Sequence, residues 1–290
     1  MLTPIENAIC NARPNQIDHS RTKGLHYLGN YVRKLPVNMA RMMENAHDWE
    51  HLPFVHTSSF TSIELVEQGH WGWRAKVGLP DGGGGGHQLI DLLVDNEQNY
   101  WATTVLSGTG EGVEIHTQAT TLGEDEIEVD VRFYLPEAIP DKAVSDFVLS
   151  HLQGQYETLY DEDLGLMSGR QSALDARQAA RSKSDPKWPV RIGELDALDK
   201  SDIQIVDTPS GKACIRYYGG AWISHAATCP HLLGPLQDSQ IDEGGVITCP
   251  WHGYRFDVAT GDNLDGKCRA LDPVGSLIEV DGVLFLEAAA

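Results

Sequence analysis

Four residues constrain this chain more than any others. Cys229 and His231 stand in C-P-H, seventeen residues follow, and Cys249 and His252 stand in C-P-W-H. Each half offers one thiolate sulfur and one imidazole nitrogen from a single short loop. Such a set suits a [2Fe-2S] cluster in which one iron takes two thiolates and the other two imidazoles, which raises the potential above that of an all-cysteine cluster and makes a one-electron relay. Zinc is the competing reading, since two Cys and two His are a common zinc set. Zinc fingers, however, keep their cysteines in one half and their histidines in the other, whereas here each half mixes the two.

The flanks extend the pattern. C-P-H-L-L-G-P-L over 229–236 and C-P-W-H-G-Y-R-F-D-V-A-T-G over 249–261 resemble the cluster loops of Rieske ferredoxins and Rieske oxygenases, and the resemblance covers roughly residues 188 to 287. It implies an all-β cluster domain, and the short strand patterns with Gly and Asp turns in this region agree with that.

At 290 residues the chain suits two domains, each able to bury its own core. No run of eighteen apolar residues occurs, and M-L-T-P-I-E-N lacks the basic and apolar regions of a signal peptide, so a cytoplasmic protein with no membrane span is expected. Beyond the two cluster cysteines, Cys10, Cys214 and Cys268 are an odd, scattered remainder that makes no disulfide framework. A net charge of −20 argues against nucleic acid or an anionic membrane as partner. It suits a basic redox partner, and equally a solvated acidic surface.

Residues 1–36 read as an irregular lead with one short helix. From Val37 the propensities favour helix until Pro53, with Met39, Met42 and Met43 on one packing face. Trp71, Trp73, Ala75, Val77 and Leu79 then alternate with Gly and charged residues, as a half-buried strand does. Gly82–Gly86 reads as a hairpin tip; His87 breaks the dinucleotide fingerprint. Strands are expected near 88–94, 100–107, 112–120 and 126–135. After Pro140 the pattern turns helical, with Val144, Phe147, Val148 and Leu152 on one face, to about Lys183. The expected fold is α+β: a helix-grip (START-like) antiparallel sheet with a long C-terminal helix over 1–185, then the all-β cluster domain over 186–290. The boundary is set by the two prolines within Ser182–Gly193. A sheet gripping a helix encloses an apolar cavity, for which Trp71, Trp73 and Trp101 are candidate walls.

A second metal motif lies upstream. Glu44–His56 contains N-x-x-D-x-x-H-x4-H, and two histidines with an acid begin the 2-His-1-carboxylate set of non-haem iron sites. His51 and His56 are about 140° apart on an ideal helix, so an unbroken helix cannot aim both at one metal; Pro53 is expected to supply the break. Asp48, three residues before His51, can bond the ring nitrogen turned away from the metal. His47 and His51 are also spaced for zinc, but without the H-E-x-x-H pattern.

The segment resembles the mononuclear-iron motif of Rieske non-haem iron oxygenases, nearest to the dicamba monooxygenase and pheophorbide oxygenase kind. In that family the third ligand is an aspartate in a pattern resembling E-D-x-x-x-L/V-E-x-x-Q. Here Glu162–Gln171 reads E-D-L-G-L-M-S-G-R-Q and points to Asp163, with Asp161 as substitute; Ser168 replaces the family Glu and the Gln falls one residue late. The resemblance implies an oxygenase in which Asp48 bridges His51 to the cluster ligand His252, with Asn45 beside the pocket. It implies a hydrophobic or aromatic substrate, O2, a separate NAD(P)H-dependent reductase acting directly or through a ferredoxin, and a homotrimer. The family places its Rieske domain first, so this chain reverses the order. The rival is a Rieske electron carrier fused to a lipid-binding module with no working mononuclear iron.

Overall fold

The computed structural model describes residues 2–81, 85–180, 188–208 and 211–288. The chain divides into two compact units, Met1–Ser168 and Gly169–Ala290. The boundary expected at 185/186 falls in 181–187, outside the described residues, as do residues 82–84 of the expected hairpin tip. Among the described residues no helix is long and apolar enough to cross a membrane.

In the first unit, seven strands form one antiparallel sheet: β1 (His26–Leu35), β2 (Ser62–Gly69), β3 (Gly72–Gly78), β4 (His87–Asp95), β5 (Tyr100–Gly108), β6 (Glu114–Gly123) and β7 (Glu126–Leu135). Their order is β1-β7-β6-β5-β4-β3-β2. The four strands expected from 88 onward are present within two or three residues of their predicted ends. Strand β1 lies where only an irregular lead is expected. Its register sets Gly29, Tyr31, Arg33 and Leu35 opposite Phe133, Val131, Val129 and Ile127, so one glycine and one arginine occupy the inner face and hide the alternation. Gly29 leaves room there for Leu149, whose side chain a Cβ would meet at 2.7 Å.

Strands β1 and β2 are opposite edges, so the chain between them must travel the full width of the sheet. It does so through α2 (Met39–His47) and the single turn α3 (Leu52–Val55). Asn38 caps α2 by accepting from the Arg41 backbone N–H. Met42 is fully buried and Met39 and Met43 pack beside it. The long helix α4 (Lys142–Ala180) follows β7. Its inward stripe is Leu149, Leu152, Tyr156, Tyr160, Leu164 and Met167 against Ile127, Val129, Val131 and Phe133. The expected face is corrected: Phe147 is 73% and Val144 50% exposed. The three-and-four spacing that faces the sheet starts at Leu149 instead.

The other face of the sheet carries buried polar groups, among them Arg74, Asp91, Glu114 and His116. The N-terminal segment neutralises them. Within α1 (Pro4–Ala12), Glu6 pairs with Lys76; Arg13 binds Asp91 at 2.7 Å and donates to Thr104; Arg21 binds Glu114 at 2.7 Å.

In the second unit, β9 (Gln204–Thr208), β10 (Gly211–Tyr218) and β11 (Ala221–Ala226) form one sheet, and β8 (Val190–Glu194), β14 (Ser276–Val280) and β15 (Val283–Glu287) another. A short hairpin, β12 (Val246–Thr248) and β13 (Arg255–Asp257), stands apart.

Candidate metal centres

The two cluster loops are built alike. One follows β11 and holds Cys229 and His231; the other is the tip of the β12–β13 hairpin and holds Cys249 and His252. In each, the residue four beyond the cysteine returns its N–H to the cysteine carbonyl: Leu233 to Cys229 at 3.0 Å and Gly253 to Cys249 at 2.9 Å. Both of these residues have φ +66°, a left-handed conformation that curls the loop around the side chains inside it. The cysteine N–H groups are tied too, Cys229 to the Gly234 carbonyl and Cys249 to the Tyr254 carbonyl, each at 2.8 Å. Cys229, Cys249 and His252 are buried. The rings of His231 and His252 meet edge to face at 4.6 Å, and Tyr254 stacks on His231 at 4.6 Å. The neighbouring Cys229 thiol and, after it, His252 hold the Cys249 thiol below the ordinary range. Gly234 has no room for a side chain: a Cβ would stand 2.6 Å from the Cys249 sulfur. Two converging thiols, two imidazoles and a backbone kept bare beside one sulfur fit a [2Fe-2S] cluster.

The second centre lies in the first unit. His51 is the N-cap of α3 and His56 its C-cap. Pro53 does not break the helix as expected; it sits in the first turn, where its missing N–H costs nothing. The turn itself separates the two rings and brings both Nε2 atoms to within 3.2 Å. From the inward stripe of α4, Asp163 Oδ1 approaches to 3.4 Å from His51 Nε2 and 3.1 Å from His56 Nε2. All three side chains are buried. Donors about 2.1 Å from one ion stand about 3.0 Å apart at right angles and about 3.4 Å apart in a tetrahedron. The three edges fall in that range. Asp163 Oδ1 has no aligned hydrogen bond among the described residues, although it lies within 3.4 Å of both ring nitrogens. Among the described residues no other group of three His, Cys, Asp or Glu side chains brings one donor atom from each this close together.

Charge holds the set together. Burial works against ionised Asp163, but contact with His51 and His56 outweighs it and keeps the carboxyl far below its usual range. Burial likewise works against protonated His51, yet Asp163 and Asp48 push it up to about 10. A divalent cation would supply the same positive charge and displace that proton.

Asp48 lies close to its expected place. Its Oδ2 is 3.5 Å from His51 Nδ1, long for a hydrogen bond, while Oδ1 accepts from the Glu50 N–H. The stronger support belongs to a residue the sequence reading passed over, Glu162, whose Oε2 accepts from His56 Nδ1 at 2.8 Å. Its signal was its position directly before Asp163. Asp161 pairs with Arg33 and is 61% exposed, away from the three donors.

A cavity of about 140 Å³ opens on the three donors, with Asn45, Trp73 and Trp101 in its wall. Trp71, the third candidate, lines a different hollow with Asn15, His19 and His70. Tyr156 and Tyr160 border the first cavity. Burial, and for both the nearby charge of Asp163, keep their phenols protonated.

The second unit can be assigned to a class. A family model for the Rieske [2Fe-2S] domain matches residues 190–276, so an all-β Rieske domain follows the unit in which the antiparallel sheet packs on the long helix. The human Rieske domain-containing protein is 30% identical over 87 residues, 29% of this chain and 55% of that protein. Pheophorbide a oxygenase, chloroplastic, from Oryza sativa subsp. japonica is 45% identical over 38 residues, 13% of this chain and 7% of that protein. The chain thus spans about half of one relative and a small part of the other. A START superfamily protein from Mycobacterium smegmatis is similar over 49% of this chain and 99% of its own, at 13% identity and a TM-score of 0.41.

Proposed function

We propose that this chain is the terminal component of a Rieske-type non-haem iron oxygenase. Cys229, His231, Cys249 and His252 would hold the cluster, and His51, His56 and Asp163 a mononuclear ferrous ion. When bound, the cluster supplies single electrons and the ferrous ion activates dioxygen, for hydroxylation, demethylation or desaturation of a hydrophobic or aromatic molecule. The residues of the chain hold and orient. Glu162 fixes the His56 tautomer by accepting a hydrogen bond from Nδ1–H, so that Nε2 carries the lone pair. Asp48, whose Oδ2 lies 3.5 Å from His51 Nδ1, would play the same part for His51, and is the proposed bridge toward His252. Trp73, Trp101 and the α4 stripe keep water from the reacting face. Reducing equivalents would come from a separate NAD(P)H-dependent reductase, directly or through a ferredoxin. A cytoplasmic homotrimer is part of the proposal, and sedimentation of a fully active monomer would reject the trimer.

The observation that carries this reading is the convergence of three buried donors, two imidazole nitrogens and one carboxylate oxygen, all within 3.4 Å of one another at an apolar cavity. Iron and acid-labile sulfide measured on the purified chain test it. An oxygenase holds about three irons per two sulfides, a carrier only two. Asp163→Ala should keep the visible spectrum of the cluster while losing the third iron and turnover with a surrogate reductase. A variant that retained the third iron and full turnover would refute the assignment.

A further inference from the structure

We infer that the cavity beside His51, His56 and Asp163 is a site for a neutral molecule built on a single six-membered ring. The inference rests on the oxygenase reading, which makes this the substrate site. Size is the first argument. Ligand pockets commonly enclose about 300–1,000 Å³, while a cavity of about 150 Å³ is filled by benzene. The space here is about 140 Å³ and open on one side, so the size limit falls on the part of a ligand presented to the donors. A hollow of about 600 Å³ lies elsewhere in the unit, but its lining includes none of the three donors, so a molecule held there is not presented to them.

The walls explain why the space is small. Trp73 and Trp101 both project from the inner face of the sheet into the cavity. The Trp73 indole N–H donates to the Ala46 carbonyl at 3.0 Å, which ties the ring to α2 and stops it from swinging aside. Leu92 lies on β4 directly opposite Trp73 and fills the gap beside it. The space is therefore walled by large side chains on a sheet, of which the anchored Trp73 yields little to an incoming ligand.

Charge is the second argument. The lining contains the carboxylates of Asp48 and Asp163 but no lysine or arginine. An anionic substrate would find no counter-charge beyond the ion itself, and would meet two like charges. Polar recognition falls to neutral groups, the Tyr156 and Tyr160 phenols kept protonated by burial, the Asn45 amide and the Thr103 hydroxyl. A ring bearing one hydroxyl or ether oxygen matches that set.

Phenol, benzoate and 2-naphthol titrated into the iron-loaded full chain, followed by tryptophan fluorescence, test this. Apolar burial alone would rank 2-naphthol first. The inference expects phenol to bind at least tenfold more tightly than either 2-naphthol or benzoate at pH 7. Trp101→Leu should abolish or reverse the preference for phenol over 2-naphthol. Leu92→Ala, which leaves both indoles in place, should move it the same way if Trp101→Leu does not fold. Binding of 2-naphthol or benzoate as tight as phenol in the wild type would overturn the inference. Iron content on the same preparation separates the two claims. Three irons with 2-naphthol preferred removes the size argument and leaves the oxygenase standing; two irons with phenol preferred does the reverse.

Discussion

Glu162 offers the most direct test of how the mononuclear site is built. Its Oε2 stands 2.8 Å from His56 Nδ1, short enough for a strong, charge-assisted hydrogen bond. Removing such a partner from a metal-binding histidine costs about 10- to 100-fold in metal affinity, or about 1.4–2.7 kcal/mol. The Glu162 side chain is 27% exposed, so water screens part of the interaction and the lower half of the range applies, about 10- to 30-fold for Glu162→Ala. Glu162→Gln keeps an acceptor at the same place and should lose less. Asp161→Ala is the control, since that carboxylate is bound to Arg33 one residue away on the helix. Ferrous iron affinity by competition with a coloured chelator reads all three, with the visible spectrum of the cluster showing that the second unit is intact. An affinity for Glu162→Ala within twofold of wild type, or an equal loss in Asp161→Ala, would refute the argument.

Three further outcomes follow from the geometry. Arg13→Ala leaves Asp91 fully buried with only Arg74 at 3.6 Å; urea unfolding should show a loss of about 3 kcal/mol, at the low end for a broken buried pair, against under about 0.5 kcal/mol for Lys142→Ala in an exposed one. His225 is buried with Nδ1 bonded to the Ala226 carbonyl and Nε2 unpartnered among the described residues, and burial pushes its pKa from 6.5 down to about 4. The unfolded chain then binds more protons between those values, so stability should fall by about 3 kcal/mol as pH drops from 6.5 to 4; an unchanged pH slope in His225→Gln would contradict this. Gly234→Ala places a methyl 2.6 Å from the Cys249 sulfur and should strain the loop by about 1–3 kcal/mol, seen as weakened visible iron–sulfur absorption with far-ultraviolet dichroism unchanged.

What the sequence makes legible is what is local. Cys229, His231, Cys249 and His252 announce themselves because each loop needs its two ligands within four residues. Val129, Val131 and Phe133 announce β7 because every inner residue is apolar. Strand β1 stays hidden because Gly29 and Arg33 occupy inner positions for reasons supplied by α4: room for Leu149, and a partner in Asp161. The role of the N-terminal segment is equally hidden, since Arg13 and Arg21 find Asp91 and Glu114 on strands far along the chain. The helix face was misplaced because Val144 and Phe147 are apolar yet exposed.

The stripe on α4 also bears on the one ligand that rested only on family resemblance. Tyr156, Tyr160 and Met167 face inward, and Asp163 lies three residues beyond Tyr160, on the same side of the helix. Asp161 is one residue beyond Tyr160, about 100° away, and turns to solvent. A carboxylate on an apolar stripe is costly unless something pairs with it, and the crossing imposed by the sheet order delivers two histidines to that spot. Strands β1 and β2 lie at opposite edges, so the segment joining them has to cross the sheet, and Met39, Met42 and Met43 of α2 pack in one cluster with the α4 stripe. His51 and His56 cap the turn at that passage. The site is thus a consequence of strand order: any ion bound there ties the crossover to the helix, and its binding energy adds to the stability of the grip itself.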